Sequence, residues 1–441
     1  MQDGHLNLAQ ALTSAMLASE WTESAVFDAC VRVLGRKWRW LRPMVGRTVR
    51  SFPEYSPPTY HELLGFLSED SGLERNYERN LVAIDKAMVP GGAFQAHFAT
   101  RHWKLLRINT IGELAEWLGV QHRELDWFAD LKNLNTRSGE SPLSHYRFRV
   151  LAKRFGKVRM IESPKRRLKE IQGQILWQLL SEIPVSPNAH GFRRGHSIRT
   201  FAEPHVGKNV VLRIDLENFF PRVQFVRILS LFQTAGYPKA VALRLAALCT
   251  HSTPHWAWGN SLVQSTKSRR SAIENMYARR HLPQGAPSSP ALANLIAWRM
   301  DCRLSAYAET CGANYTRYAD DLVFSGGREF SRSVHRFQIR AAAIAMEEGF
   351  GVNHYKTRIM RSAGRQCIAG IVVNRHPNIP RCEYDRLKAI LTNCIRHGPA
   401  TQNRECHPDF RSHLAGKISH VQMINPRRAR HLLNLFKQIE W

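Results

Sequence analysis

The sequence predicts an α+β protein with a mainly helical N-terminal extension, and three observations carry that expectation. The first hundred residues hold helix formers with apolar positions three and four apart, as in "NLAQALTSAMLASEW". The middle of the chain holds β-branched runs of strand length, "NVVLRID" and "LVFSG" among them, bounded by turn residues. From about residue 383 the pattern is again helical. At 441 residues the chain holds two to four structural units and buries a sizeable core.

Composition narrows the function classes. A hydrophobic fraction of 44% is ordinary for a globular chain and excludes wholesale disorder. No run of about 18 apolar residues appears, so no membrane span is expected. The N-terminus lacks a basic n-region and makes a poor secretory signal, so a cytoplasmic protein is expected. The eight cysteines are scattered without a CxxC pair, which predicts buried or free thiols rather than a disulfide framework. Cys406 with His407 is a weak metal candidate. Lys and Arg total 63 against 36 for Asp and Glu, a net charge of +27 that attracts polyanions. No basic amphipathic helix with a broad apolar face favours lipid, so nucleic acid is the expected partner.

The elements follow in order. Residues 1–109 read as helices broken at "FPEYSPPTY" and "PGGAF". Within them "RKWRW" suits either stacking on nucleic acid or packing of Trp38 and Trp40 into a core. "TIGELAEWLGV" opens with a capping box, Thr110 and Glu113, and ends on a glycine. "ELDWFADL" is a second short helix. In "HYRFRVLAKRFGKVRMIESPKRRLKEIQGQIL" two strands join around Phe155 and Gly156, and a helix starts near Pro164. Ten Lys/Arg and two acids fall between residues 145 and 170, with aromatics interleaved. Such a run is either a solvated face or a phosphate-contacting surface. "HLPQGAPSSPALANL" is a Gly/Pro turn leading into a helix. Residues 333–348 read as a helix, and "FGVNHYKTRIM" and "RQCIAGIVVN" as strands.

The acids are placed unusually for so basic a chain. Asp215 closes the strand "VVLRID", while Asp320 and Asp321 fall in a tight turn between "NYTRY" and "LVFSG". A hairpin turn delivers neighbouring side chains to one end of a sheet. A third carboxylate on an adjacent strand completes an oxygen cage for a hard cation. Mg²⁺ prefers carboxylate oxygens, keeps part of its water and accepts substrate phosphates as further ligands. Two such ions roughly 3.5–4 Å apart clamp the attacking and leaving oxygens of a phosphoryl transfer. Without metal, a shared proton or a raised pKa is expected for at least one member of the Asp320–Asp321 pair. Taken alone, the pair is also readable as a solvated turn.

Together, "YADD" at Tyr318–Asp321, "RIDLENFF" at Arg213–Phe220 and "LPQGAPSSPALANL" at Leu282–Leu295 resemble a reverse transcriptase, most closely a bacterial retron-type enzyme. The likeness continues through "AHGFRRGHSI", "GFGVNHYKTRI" and "AGIVVN", over about residues 110–441. It implies a right-hand polymerase: fingers over 110–205, a palm with an antiparallel sheet over 206–375 and a helical thumb over 376–441. The family's aspartates fall on Asp215, Asp320 and Asp321, which would hold two Mg²⁺ ions, or Mn²⁺ in their place. Asp215 and Asp320 rank first, with the Leu216 carbonyl as a further ligand. Phe220 matches the aromatic that lies under the incoming sugar and selects dNTPs. Gln284 and Gly285 match the turn beside the incoming nucleotide. Arg159, in "R-x-I-x-x-P" with Ile161 and Pro164, matches the triphosphate grip, assisted by Lys153 or Arg154. Lys356 matches the lysine that protonates the leaving pyrophosphate.

Two departures from the retron pattern stand out: no NAxxH motif is present, and Ile368-Ala369-Gly370 replaces a VTG triplet. Tyr318 and the PQGA form still favour retron enzymes over intron-encoded ones. The resemblance implies an RNA-directed DNA polymerase that copies a structured noncoding RNA, often from an RNA 2′-OH. It also implies an effector (toxin) protein and a role in phage defence. The alternatives are a non-retron defence-associated reverse transcriptase, a template-independent DNA polymerase, or a non-catalytic RNA-binding scaffold. Retention of all three acids argues against the scaffold.

Overall fold

A computed structural model describes residues 2–17, 19, 21–52, 58–80, 94–95, 100–136, 144–152, 158–259 and 267–441. Two compact units emerge, Met1–Pro184 with Phe220–Ile296, and Val185–Phe219 with Ala297–Trp441. Among the described residues no helix is long and apolar enough to cross a membrane. All eight cysteines are free thiols, three of them buried. Cys406 is exposed, and among the described residues no cluster of metal-ligating side chains forms around Cys406 and His407.

The first unit begins with five helices, Gln2–Leu17, Glu23–Leu34, Leu41–Ser51, Tyr60–Ser68 and Ser71–Asn80. Their apolar residues, spaced three and four apart, share one core that includes Leu8, Leu12, Met16, Val26, Val45 and Leu63. Thr22 caps the second helix by accepting from the Ala25 amide, and Thr59 forms a full capping box with Glu62 on the fourth. Trp38 and Trp40 pack against this core, with the Arg36 guanidinium 3.6 Å over the Trp38 ring. The packing alternative is therefore the one realised.

Thr110 caps the helix Ile111–Leu118, and Gly119 ends it at φ 62°. The second arm of the expected capping box differs: Glu113 accepts from the Asn109 amide at 2.7 Å, one residue earlier than expected. Strand β1 (Tyr146–Ala152) pairs antiparallel with β2 (Val158–Pro164), from Tyr146↔Pro164 to Ala152↔Val158. Residues 153–157, which include Lys153 and Arg154, lie outside the described residues. The helix Arg166–Gln178 follows directly, and the segment 220–296 adds Phe225–Ala235, Lys239–Leu248, Lys267–Ala278 and Ser289–Ile296.

The second unit is built on β3 (Val210–Glu217), β4 (Ala313–Tyr318), β5 (Asp321–Gly326), β6 (Gly351–Val352) and β7 (Arg358–Arg361). The strand order is β4-β5-β3-β6, and β7 also pairs with β3. β3 is central, so most of its residues are buried, which accounts for its unbroken apolar run. The helix Arg328–Glu347 packs on β3 and β5. It starts five residues before the sequence pattern suggests, because Phe330 joins Val334, Phe337 and Ala341 in its buried stripe. Three helices, Arg381–His397, Phe410–Ile424 and Pro426–Lys437, close the chain over a core shared with Val211 and Val323.

Candidate active site

The register of the sheet sets the acids. β3 and β5 run antiparallel with Asp215 opposite Asp321, and β4 pairs Tyr318 with Asp321. The turn between β4 and β5 is therefore Ala319–Asp320, and Asp321 opens a strand rather than sharing the turn. Ala319 takes φ 54°, the positive value that tight hairpin loops require at their first position. The Leu216 amide donates to the Asp320 carbonyl at 2.8 Å, tying the turn to the end of β3. Asp215, Leu216, Asp320 and Asp321 thus share one sheet end.

Two cations sit on this acidic end. Lys356 Nζ lies 2.8 and 3.1 Å from the Asp215 carboxylate oxygens, and Asn353 Nδ2 donates to the same carboxylate at 3.2 Å. The Asn353 amide also donates to the Asp215 carbonyl at 2.8 Å, and Lys356 N donates to Asn353 O at 3.1 Å. The "VNHYK" turn is therefore folded around Asp215. Arg213, two residues before Asp215 on β3, grips Asp321 with three hydrogen bonds of 2.7–2.9 Å. Burial pushes the Asp321 carboxyl above the usual range, Arg213 opposes this, and the charges of Asp320 and Asp215 add to it. That direction agrees with the raised pKa expected for one member of the pair.

Behind the turn lies a buried ion pair. Arg317, on β4, is fully buried and donates to both Asp301 oxygens at 2.8 and 2.7 Å, while Tyr315 donates to Asp301 Oδ1 at 2.8 Å. Arg317 Nη1 reaches the Ala319 carbonyl at 3.3 Å. The segment "NAHGF" runs beside β4: Arg317 N donates to Asn188 O at 2.7 Å, and His190 N to Arg317 O at 2.8 Å. A Cβ on Gly191 would stand 2.7 Å from Ala319 N, so glycine is required by close approach. His205 is buried beneath the same sheet, with Nε2 2.7 Å from Thr316 Oγ1 and Nδ1 2.7 Å from Ser325 Oγ. Thr316 donates its own proton to Phe201 O at 3.0 Å, so it accepts from His205 Nε2–H and Ser325 donates to Nδ1. Burial pushes this imidazole down to about 3.

The remaining expected site residues belong to the first unit. Arg159 lies on β2, and its Nε is buried without a hydrogen-bond partner. Glu162 N donates to Gln284 O at 2.9 Å, which joins β2 to the Gln284–Gly285 turn. Gly285 takes φ 138°, and a Cβ there would lie 3.0 Å from Glu162 O, so both backbone conformation and space demand glycine. Arg159, Gln284 and Gly285 are thus assembled on one framework. Phe219 is buried and stacks on Phe350 at 5.5 Å, while Phe220 is half-buried and begins a tight turn whose carbonyl accepts from Val223 N at 3.0 Å. Phe219, not Phe220, takes the core position.

Sequence reasoning missed Arg213, Asn353, Asp301 and Arg317. Arg213, Asn353 and Arg317 lie within "RIDLENFF", "GFGVNHYKTRI" and "NYTRY", and strand alternation puts Arg213 on the face of Asp215. Asp301 carries no local signal.

Comparison with known proteins fits this geometry. Residues 151–394 match the family described as reverse transcriptase (RNA-dependent DNA polymerase). The chain belongs to that family, whose enzymes use divalent metal ions. It is 37% identical to the retron Mx65 reverse transcriptase of Myxococcus xanthus, over 81% of this chain and 76% of that one. It is 31% identical to the retron Mx162 enzyme of Myxococcus xanthus, over 76% and 68%. With the retron Ec86 enzyme of Escherichia coli, identity is 30% over 64% and 77%. The protein is accordingly a retron-type RNA-directed DNA polymerase, as its motifs implied despite the missing NAxxH and the altered triplet. A foamy viral protease-reverse transcriptase solved with an RNA/DNA hybrid aligns at a TM-score of 0.32 and 13% identity, over 68% of this chain and 34% of that one.

Proposed function

We propose that the protein copies a structured noncoding RNA into DNA by two-metal nucleotidyl transfer, with Asp215 and Asp320 as the direct carboxylate ligands. The observation that carries this reading is the shared sheet end, where Asp215 faces Asp321 and the Leu216 amide holds the Asp320 carbonyl. An all-oxygen donor set of carboxylates, with the Leu216 carbonyl beside them, suits Mg²⁺ or Mn²⁺. Asp321, held at two oxygens by Arg213, serves chiefly as a local charge and ranks below the other two. Bound there, divalent ions would help deprotonate the primer hydroxyl and neutralise the departing pyrophosphate.

The chain's own groups do the rest. Lys356, whose Nζ lies 2.8 Å from Asp215 Oδ1, would serve as the proton donor to pyrophosphate. Arg159 offers an unpaired buried Nε to the triphosphate, with Lys153 or Arg154 assisting. Gln284 and Gly285 line the incoming nucleotide, and the Phe220 ring excludes a ribose 2′-OH. In this reading residues 110–205 form fingers, 206–375 a palm that includes finger elements, and 376–441 a thumb. The template RNA supplies sequence by base pairing, while basic surfaces hold its backbone.

Priming from an RNA 2′-OH, an effector (toxin) partner, a role in phage defence and a cytoplasmic location complete the proposal. They rest on the retron relationship alone. The decisive experiment compares wild type with Asp320→Asn plus Asp321→Asn. Synthesis should be abolished while RNA affinity stays nearly intact, and full activity in that variant overturns the metal assignment. Sequencing nucleic acid co-purified from the native host should yield one discrete RNA–DNA species. Its absence overturns the structured-RNA reading.

A further inference from the structure

The first unit contains a fully buried ion pair that the reaction chemistry above does not use. Glu162, on β2, and His281, just before the "LPQG" segment, are both 0% exposed, with His281 Nε2 3.0 Å from Glu162 Oε2. The other Glu162 oxygen accepts from Thr253 Oγ1 at 2.5 Å, and His281 Nδ1 donates to the Arg279 carbonyl at 2.8 Å. His281 also exchanges both main-chain hydrogen bonds with His251, each 3.0 Å. Every side-chain polar atom of the pair is therefore satisfied. Burial alone would push the Glu162 carboxyl up, but His281 beside it holds it below its ordinary value. Burial likewise opposes the charge on His281, and Glu162 outweighs it, so the imidazole titrates above its ordinary value.

The pair sits where the basic hairpin strand and the Gln284–Gly285 turn meet. Glu162 N donates to Gln284 O at 2.9 Å, and Glu162 O is the atom that crowds Gly285. Three residues back along the same strand is Arg159. Side chains alternate along a strand, so Glu162 anchors the inner face while Arg159 points to the other.

We propose that the Glu162–His281 ion pair is a positioning device for the nucleotide pocket, locking the Gln284–Gly285 turn against the strand that carries Arg159. Neither residue touches the substrate. The pair sets the spacing between a triphosphate-gripping guanidinium and a turn that lies along the nucleotide. A buried pair is weak evidence of added stability, because desolvation offsets its attraction, but it specifies one geometry. The inference rests on the reading of Arg159, Gln284 and Gly285 as nucleotide contacts.

The test is steady-state primer extension by the full-length protein on a heteropolymeric RNA template, with Glu162→Gln, His281→Gln, the double variant and Arg159→Ala. Each single Gln variant should raise KM for dNTP about tenfold, the size of coupling usual for contacting residues, with kcat and RNA affinity within about twofold. The double variant, which replaces the ion pair by a neutral amide pair, should recover most of that loss. Wild-type KM in folded single variants overturns the inference, as does a fall in kcat or RNA affinity with KM unchanged. If neither single variant folds, Thr253→Val removes one hydrogen bond to Glu162 and leaves both charges. It should raise KM by about threefold, and no change there overturns the inference. Arg159→Ala separates the two levels. An unchanged KM in that variant removes the nucleotide-pocket reading itself, whereas a raised KM there with wild-type behaviour in the Glu162 and His281 variants removes only the positioning role.

Discussion

Gly191→Ala is a one-methyl perturbation placed directly behind the acidic turn. The added Cβ would stand 2.7 Å from Ala319 N and 3.3 Å from both Cα and C of Tyr318. Relief requires about 0.7 Å of movement, since ordinary contacts begin near 3.4 Å. The neighbours cannot share it evenly. Arg317 is bolted to Asp301, and its backbone is bonded on both sides to the 188–190 segment. Ala319–Asp320, a two-residue turn, is the part that gives way. A misplacement approaching 1 Å at reacting groups costs on the order of a hundredfold in rate, so kcat should fall roughly ten- to a hundredfold. Overpacking should also cost about 1–3 kcal/mol of stability. Single-turnover extension with saturating dNTP reads the first effect, and denaturant unfolding the second. Gly173→Ala is the control: nothing lies within 4 Å of a Cβ there, and alanine favours the helix Arg166–Gln178. Wild-type kcat and stability in Gly191→Ala would refute the close-approach reasoning.

Three further perturbations follow from the same contacts. Lys356→Ala removes the cation on Asp215, so Mn²⁺ affinity read by electron paramagnetic resonance should tighten about fivefold, the worth of a unit-charge pair in water. Turnover in that variant should fall about a hundredfold through loss of the proton donor, and weaker metal binding would contradict the pairing. Phe220→Ala should admit rNTPs in a competition assay, and unchanged sugar selectivity removes its gating role. His205 is held neutral, with its pKa depressed from 6.5 to about 3. Its contribution is complete above pH 6.5 and is lost as pH falls towards 3, about 2 kcal/mol by pH 5. His205→Gln should therefore flatten the pH dependence of unfolding between 7 and 5, and an unchanged slope excludes this group.

The strands that carry the acids were legible because a central strand buried on both faces has a distinctive spelling, "VVLRID", and because tight turns do as well. The helix start at Thr110 was legible for the same reason: Thr110 caps as expected, although Glu113 chooses Asn109. The downstream strands were legible only as regions. "FGVNHYKTRIM" folds as two short strands, Gly351–Val352 and Arg358–Arg361, because Asn353 turns the chain back to bond Asp215. What the sequence hides is pairing at long range. Glu162 and His281 are 119 residues apart and Arg213 and Asp321 are 108 apart, so no local pattern marks them as partners.

Those hidden pairs change what the acidic turn means in a chain of net charge +27. Read from the sequence, the three aspartates form a bare cage that waits for metal. In the folded protein Asp215 and Asp321 each already hold a cation, and these two cations differ in kind. Lys356 is a single ammonium, about half-exposed, on a flexible stem, and it gives way readily to an ion of higher charge. Arg213 is a planar fork engaging both oxygens of Asp321 from the adjacent strand, a grip that a hydrated divalent ion displaces less easily. The asymmetry supplies a physical reason for ranking Asp215 above Asp321 as a proposed metal ligand. On the proposed assignment Asp215 would trade a weakly held ammonium for metal, while Asp321 would keep its arginine as a charge already half-compensated. Loading the site would then be an exchange of cations, and the lysine it would release belongs to the same turn that holds Asp215 in place.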